Sequence, residues 1–301
     1  MVNNIWENFI SLHGDKILHN DVLSAAYEYA AQDDGSVQWN RKAIPVDAAM
    51  KRDRAPLPEV QDREMYYGPN HYNYWASGIR DYLQLKEYLD RKKIKASALL
   101  DIGCASGRFV RAAHFQGKMD RVIGCDINRL HVDWVARNLP REIEIFQNTS
   151  IPYLPLPDES LDVVTAFSVF THIETFDTAW LMEIKRVLRP GGIAWLTVHS
   201  DRTWREITPD WPLYGALKTH PEYIQLKGQD KIPQERTVFR WISDASYSAN
   251  VFYTEEYLHR IWDRIMPMRD MFPGLPHFQD VVVLQKEKAI RTTVRKGVTI
   301  R

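Results

Sequence analysis

The residues best suited to hold a small charged ligand lie in one short turn. Asp101 ends an apolar stretch, and small residues follow it at alternate positions: Gly103, Ala105 and Gly107. Small side chains leave the backbone open to close approach by a ligand. A helix is predicted from Arg108, with its first N–H groups facing the turn. Because an acid here would repel a pyrophosphate, the pattern favours a ligand that carries positive charge.

The spacing is G-x-A-x-G rather than the G-x-G-x-x-G of a nicotinamide-binding turn. The ammonium or sulfonium group of S-adenosylmethionine would suit it. The stretch resembles motif I of the class I S-adenosylmethionine-dependent methyltransferases, D/E-x-G-x-G-x-G, with alanine for the middle glycine. The resemblance implies that the cofactor binds at this motif, through Asp101, Gly103, Ala105, Ser106 and Gly107.

A second acid follows the next predicted strand. Asp126 lies 23 positions after Gly103, close to the spacing of about 20 at which such an acid binds a ribose. Ile127 could cover one face of the adenine. Polar residues after the third predicted strand lie where these methyltransferases bind the adenine amino group: Asn148, Thr149 and Ser150.

Other stretches extend the resemblance. The run at 154–164 is similar to the L-P-F-x-D-x-S-F-D-V-V run of small-molecule methyltransferases, and 168–173 to the S-V-F-T-H-L signature of a bacterial branch. Phe167 and Ser168, at the predicted end of the fourth strand, are therefore assigned to the cofactor site. The segment before the first core helix closes over the methionine end of the cofactor in many relatives. That likeness makes Tyr66, Tyr67 and Arg80 candidates, although these aromatic groups could equally pack between arm and core.

The elements that must position these residues are seven predicted strands, at 96–102, 121–125, 142–146, 163–167, 193–199, 266–271 and 279–285. Helical patterns lie between most of them, which is typical of an α/β fold with a doubly wound sheet. The resemblance implies a Rossmann-like methyltransferase sheet whose last strand is antiparallel. The R-V-L-R-P-G-G segment at 186–192 is interpreted as a structural turn into the fifth strand.

The predicted domains are an N-terminal arm at 1–78 and a methyltransferase domain at 79–301. The arm includes a predicted helix at 22–31. Residues 200–254 form an aromatic insertion, interpreted as a lid, a substrate-binding excursion or part of a dimer contact. The last residues, 286–301, are interpreted as a basic solvated tail.

Transfer to a hydroxyl requires a group that accepts its proton. The candidate bases are His172, His199, Asp201 and His277, each placed near a predicted strand end. For His172, a structural or cofactor-side role is the alternative. No metal site is predicted, because Ser168 and its neighbours stand where metal-using relatives have acids.

The amino-acid composition limits the classes of acceptor and the cellular compartments that are expected. The 39 basic and 39 acidic residues balance, so no basic field for nucleic acid is expected. No run approaches the roughly 20 apolar residues that span a bilayer. With two cysteines, Cys104 and Cys125, and no leader pattern, a cytoplasmic location is expected.

These observations predict a methyltransferase that uses S-adenosyl-L-methionine and acts on an oxygen of a sugar, glycan or other small metabolite. A homodimer is compatible with this reading. The alternatives are a non-catalytic cofactor-binding module of the same fold, and a protein or RNA methyltransferase. An NAD oxidoreductase fits the acid before the turn less well.

Overall fold

The computed structural model describes residues 46–117, 119–209, 211–226, 228–241, 248–275 and 278–288. The helix predicted at 22–31, His277 and most of the predicted tail lie outside these residues. The arm and the insertion are each described in part.

The described residues contain nine strands: β1 Ala98–Ile102, β2 Arg121–Asp126, β3 Ile143–Gln147, β4 Leu161–Ala166, β5 Leu188–Val198, β6 Arg236–Arg240, β7 Ala249–Tyr253, β8 Met268–Phe272 and β9 Asp280–Gln285. Seven form one sheet in the order β3-β2-β1-β4-β5-β9-β8. The first five of these are parallel, and β9 runs antiparallel to both β5 and β8. The predicted seven-stranded sheet with an antiparallel last strand is confirmed.

The described residues contain these α-helices: α1 Val46–Arg52, α2 His71–Lys92, α3 Arg108–Gln116, α4 Arg129–Asn138, α5 Asp177–Val187, α6 Asp201–Glu206, α7 Pro212–Leu217 and α8 Pro221–Leu226. Helices α2 and α3 lie on one face of the sheet, and α5 lies on the other. A ninth helical segment, α9 at 255–265, has a central π-helical turn, Leu258–Trp262. β1 is buried throughout, as expected for a strand between two helical layers. Leu99 belongs to the core beneath α2 and α3, whereas Leu100 belongs to the core beneath α5 and α9.

Helix α2 begins eight residues before the predicted start at 79. The Asn70 side chain accepts from the backbone N–H of Asn73 at 3.0 Å and caps the helix. Tyr74 and Trp75 are buried within the first turns, so aromatic residues predicted in the arm belong to α2. The predicted boundary at residue 78 falls inside this helix.

The turn predicted before the fifth strand is instead an irregularity within β5. Leu161 pairs with Leu188 and Val163 with Ile193, so the register shifts across the two glycines. Gly191 takes a φ of +89°, and its N–H donates to the Lys286 carbonyl at 2.8 Å. This pairing keeps the segment extended.

The insertion at 200–254 contributes α6, α7, α8 and the antiparallel pair β6–β7. Its aromatic residues pack on one another, with Trp204, Phe239 and Phe252 in a separate hydrophobic cluster. Within the described ranges, no helix combines the length and apolar character needed to cross a membrane. The same ranges contain no group of three or more His, Cys, Asp or Glu that could hold a metal ion.

Candidate active site

A cavity of about 900 Å³ lies at the carboxyl ends of β1 to β4, the usual ligand position in a doubly wound sheet. It is near the upper end of the roughly 300–1,000 Å³ typical of small-molecule sites. Most of the predicted site residues line it: Tyr66, Tyr67, Arg80, Asp101, Gly103, Ala105, Asp126, Ile127, Asn148, Thr149, Ser150, Phe167, Ser168 and His172. Four predicted site residues do not: Ser106, Gly107, His199 and Asp201.

The turn after β1 takes a left-handed backbone at three alternate residues. Gly103 has a φ of +68°, Ala105 of +47° and Gly107 of +83°. A Cβ on Gly103 would lie 2.4 Å from Cγ2 of Val169, so only glycine fits there. Ala105 holds a conformation that costs a residue with a Cβ about 1 kcal/mol. The alanine in place of the middle glycine therefore stores strain beside the cavity.

Asp126 ties this turn to the end of β2. Its Oδ2 accepts from the N–H of Ala105 and its Oδ1 from the N–H of Asn128, both at 2.8 Å. An ionised carboxylate has about four acceptor positions, so two stay available for hydroxyl groups in the cavity. The arrangement suits recognition of the two ribose hydroxyls of a nucleoside.

Asp101 is a buried acid whose hydroxyl partner lies on the neighbouring strand. Thr165 Oγ1 donates to its Oδ1 at 2.6 Å. Burial raises the pKa of Asp101 to about 7, although the Thr165 bond and the Arg108 charge oppose the rise. A cation arriving in the cavity would favour the ionised form of Asp101.

The polar residues after β2 and β3 leave two buried atoms without partners among the described residues. Asn148 donates through Nδ2 to the Thr149 carbonyl at 3.2 Å, while its Oδ1 accepts no hydrogen bond. His131, also in the cavity wall, has Nδ1 3.7 Å from Asp126 Oδ1 and likewise unpartnered. Buried polar atoms are normally paired, so these two indicate a ligand with polar groups, as adenosine has.

A charged cluster lies at the other end of the cavity. Asp81 is fully buried and accepts from both Arg80 and Arg108. Burial acts to raise its pKa, but the two arginines outweigh this and hold the pKa of Asp81 below its usual value. Two guanidinium groups share one carboxylate, so the cluster keeps one net positive charge, which suits the carboxylate of an amino-acid ligand.

The candidate bases lie in different parts of the structure. His172 lines the cavity, and its Nδ1 lies 2.6 Å from the Ala249 carbonyl. Because a carbonyl only accepts, Nδ1 carries the proton and Nε2 carries the lone pair. Burial lowers the pKa of His172 to about 4, with the Ala249 bond opposing. The imidazole is therefore neutral at ordinary pH.

His199 and Asp201 lie away from the cavity wall. The ring of His199 is 2% exposed and packs against Phe252 and Phe278, 5.1 and 6.3 Å away between centroids. Asp201 accepts from the backbone N–H of Glu255 at 2.8 Å, which tethers α9 to the end of β5. The insertion covers the end of β5, so neither side chain reaches the cavity that the predicted cofactor-binding residues line.

Sequence reasoning missed Arg63, Asp81, Arg108 and His131 as cavity residues. Arg108 lies seven positions after Asp101, and His131 lies five positions after Asp126. Their position in the first turns of the helices that follow β1 and β2 could have marked them as cavity residues. Asp81 depends on Gly78, where a Cβ would lie 2.3 Å from the Arg108 carbonyl. No local pattern marks a contact between two helices of this kind.

Comparison with known proteins gives a consistent result. The methyltransferase domain family matches residues 100–196. The chain is 27% identical over 195 residues to an uncharacterized methyltransferase of Schizosaccharomyces pombe, covering 58% of this chain and 69% of that protein. It is 38% identical over 96 residues to a probable S-adenosylmethionine-dependent methyltransferase of Mycolicibacterium smegmatis, covering 32% and 35%.

A third relative, a malonyl-[acyl-carrier protein] O-methyltransferase of Yersinia pestis, is 28% identical over 129 residues, covering 43% of this chain and 46% of the relative. The chain thus spans less than half the length of two of these three relatives. The family match covers β1 to β5 and the turns that line the cavity. The comparisons therefore support an S-adenosylmethionine-dependent methyltransferase, with the match to the methyltransferase domain family at residues 100–196.

Proposed function

We propose that the chain transfers a methyl group from S-adenosylmethionine to a hydroxyl oxygen of a small metabolite, sugars and glycans included. The observation that carries this proposal is the place of His172. It lines the same cavity as Asp101 and Asp126, and its bond to the Ala249 carbonyl places the ring proton on Nδ1.

The residues present fit the cofactor. Asp126 offers acceptor positions for the ribose, and the orphaned Oδ1 of Asn148 would accept from the adenine amino group. The net positive charge of Arg80 and Arg108 around Asp81 would hold the methionine carboxylate. When bound, the cofactor supplies an electrophilic methyl group on a sulfonium.

His172 would act on the acceptor. As the acceptor oxygen forms its bond to the methyl carbon and the carbon–sulfur bond breaks, the hydroxyl proton passes to Nε2. The Ala249 carbonyl holds the imidazole in one tautomer and stabilises the positive charge that forms. Burial keeps His172 neutral before the reaction, so no proton must first be removed.

The part of the cavity that would hold the acceptor is lined by both aromatic and polar side chains. Phe176, Trp180 and Phe278 contribute flat apolar faces, and Ser248 and Gln279 contribute polar groups. Aromatic faces with a few polar groups suit a ring that carries hydroxyls. Ser248 is the cavity residue from the described part of the insertion, which supports the role of the insertion as a wall rather than as the main binding surface.

A second candidate is methyl esterification of a carboxylate, as the name of the Yersinia pestis relative describes for that protein. A carboxylate is already ionised at neutral pH and needs no base. His172 therefore separates the two candidates: it is required for a hydroxyl acceptor and dispensable for a carboxylate.

The balanced charge of the chain favours a small acceptor over RNA. We also propose a cytoplasmic location and include a homodimer among the assemblies to test. A non-catalytic module would keep cofactor affinity without transfer, and a protein methyltransferase would label protein.

The test is transfer of a labelled methyl group from S-adenosylmethionine into glycan, small-metabolite, protein and RNA fractions of a cell extract. We expect label in glycans or metabolites. The His172→Asn variant should abolish most of this transfer, while S-adenosylhomocysteine binding by isothermal titration stays unchanged. Label confined to protein or RNA, or none despite cofactor binding, would overturn the proposed function.

A further inference from the structure

Arg63 is a buried cation in the cavity wall that the proposed mechanism does not use. It ends a short 3-10 turn, Gln61–Arg63, that lies over the motif I turn. The side chain is 0% exposed. The turn is fixed to the domain at two points, because Ser106 donates to the Asp62 carbonyl and Asn128 donates to the Glu64 carboxylate.

The guanidinium has few of the partners that its burial requires. Nη2 donates to the Gly68 carbonyl, and the group lies 4.9 Å from the centroid of the Tyr74 ring. Nε and Nη1 have no partner among the residues that the structure describes, and none of those residues forms a salt bridge with Arg63. Burial lowers the pKa of Arg63, with the charges of Tyr74 and Glu59 opposing the fall.

Arg111 shows what a purely structural arginine looks like in the same region. It is 2% exposed, pairs with both carboxylate oxygens of Asp53, and donates to the carbonyls of Ala55 and Pro56. This arginine is fully compensated and ties the 53–56 segment to α3. Arg63 lacks such compensation although it is equally buried.

Three acids of the cavity wall already have partners. Asp81 is shared by two arginines, Glu64 accepts from Asn128, and Glu174 pairs with Arg240. The charge of Glu59 acts on Arg63, but this side chain is exposed and forms no salt bridge with Arg63. Buried N–H groups of a cation are destabilising when they have no acceptor, and a bound anion would supply acceptors to Nε and Nη1. We propose that the Arg63 guanidinium binds an oxyanion, a carboxylate or a phosphate, of a ligand that occupies this cavity.

The segment at 64–68, which follows Arg63, has an unusual backbone. Glu64, Met65, Tyr67 and Gly68 all have positive φ values, between 48° and 66°. Such a run of strained residues over a ligand site is consistent with a segment that rearranges on binding. A small shift of Gly68 would free Nη2 and present the fork of Arg63 to the cavity.

The oxyanion could come from the amino-acid end of the cofactor or from an acidic acceptor. The Arg80–Asp81–Arg108 cluster already offers one positive charge to the carboxylate of the cofactor. The experiment therefore uses one probe for the cofactor and another for the acceptor. The inference rests on the proposed use of the cavity for cofactor and acceptor.

The experiment compares Arg63→Met with the matched control Arg111→Met in the full chain. Three quantities are measured: the midpoint of thermal unfolding without ligand, the affinity for S-adenosylhomocysteine against its primary amide, and the affinity of the S-adenosylhomocysteine-loaded protein for 4-hydroxybenzoate against 4-hydroxybenzamide. Each pair of probes differs in one anionic group.

We expect Arg63→Met to raise the midpoint of the unliganded protein by roughly 2–4 °C, because a buried unpaired charge is removed. Arg111→Met should lower it. Arg63→Met should also weaken one anionic probe by about tenfold and leave its neutral amide unchanged, whereas Arg63→Lys should retain part of the preference. Loss for S-adenosylhomocysteine identifies the cofactor as the source, and loss for 4-hydroxybenzoate identifies the acceptor.

The proposal is overturned if Arg63→Met leaves both anionic affinities unchanged, whichever way the midpoint moves. It is equally overturned if the variant lowers the midpoint as Arg111→Met does and weakens anionic and neutral probes alike, which is the behaviour of a structural arginine. Failure of the proposed function is distinguishable, because it is read from the distribution of the labelled methyl group among the extract fractions and not from the affinities that are compared here.

Discussion

The backbone N–H of Ala105 donates to Oδ2 of Asp126 at 2.8 Å, joining the turn after β1 to the acid that ends β2. Asp126 therefore has two tasks. It shapes the turn that would surround the cofactor, and in the proposed site its remaining acceptor positions would bind the ribose. Loss of the carboxylate should disturb both.

We expect Asp126→Ala to weaken S-adenosylhomocysteine binding by about 100-fold, because charge-assisted bonds to two hydroxyls are lost. Isothermal titration measures this directly. Asp133→Ala is the matched control, since Asp133 lies on the adjacent helix α4 and its ion pairs with described residues are long surface contacts with Arg129 and Arg137. Equal affinity in wild type and Asp126→Ala would remove Asp126 from the cofactor site.

Gly103→Ala should destabilise the fold by roughly 2–4 kcal/mol, because the residue combines a positive φ with a Cβ position 2.4 Å from Val169. The measurement is urea unfolding. Gly215→Ala is the control, since its Cβ would meet nothing within 4 Å, and alanine in a helix should stabilise by about 0.5–1 kcal/mol. Similar unfolding midpoints for the two variants would contradict the steric account of the turn.

The sequence was informative wherever function depends on strand order. Asp101 and Asp126 could be placed together because the carboxyl ends of adjacent parallel strands meet at one edge of the sheet. His199 follows β5 in the same way, yet Phe252 and Phe278 enclose it. A single sequence does not show where an insertion packs, so a histidine at a strand end could not be separated from one that the insertion covers.

Contacts between distant segments were equally hidden. Arg63 lies in a polar stretch of the sequence and Arg111 in an apolar one, yet both are buried, because the segment at 53–68 folds over α3. Asp81 is an ordinary acid on the predicted helix until α2 and α3 meet at Gly78. Such residues are determined by tertiary packing rather than by periodicity.

The raised pKa of Asp101 predicts that cofactor binding depends on pH. Asp101 is partly protonated near pH 7, and a cationic ligand favours its ionised form. Because this pKa is about 7, the affinity for S-adenosylhomocysteine should rise between pH 6 and pH 8. Binding should also release protons from Asp101. Calorimetric titration in buffers of different ionisation enthalpy detects this release.

Thr165→Val provides a directional check on this account. The hydroxyl bond favours the ionised acid, so its removal should raise the pKa of Asp101 further and move the affinity profile to higher pH. Asp101→Asn should remove the pH dependence. A wild-type profile that is flat from pH 6 to 8 would argue against a titrating acid at this position.

His172 also predicts a pH effect on stability. Its folded pKa, about 4, lies below the ordinary value of 6.5, so between these values the unfolded chain binds the extra proton. The unfolding free energy should thus fall as pH drops from 6.5 towards 4. His172→Gln should reduce this slope without abolishing it, because burial lowers the pKa of His199 as well.

Urea unfolding at a series of pH values across this window gives the slope for each variant. The double variant His172→Gln/His199→Gln should lose the least unfolding free energy as the pH falls, whatever its stability at pH 7. An unchanged slope in His172→Gln would mean that the imidazole titrates normally in the folded protein.

The most direct test of the central claim is the bond that the enzyme forms. Transfer from S-adenosylmethionine carrying a ¹³C-methyl group, followed by NMR of the purified product, identifies the methylated atom. We predict an O-methyl product whose formation is lost in His172→Asn at unchanged cofactor affinity. An N-methyl product, or full turnover in His172→Asn, would contradict the account of a hydroxyl acceptor activated at His172.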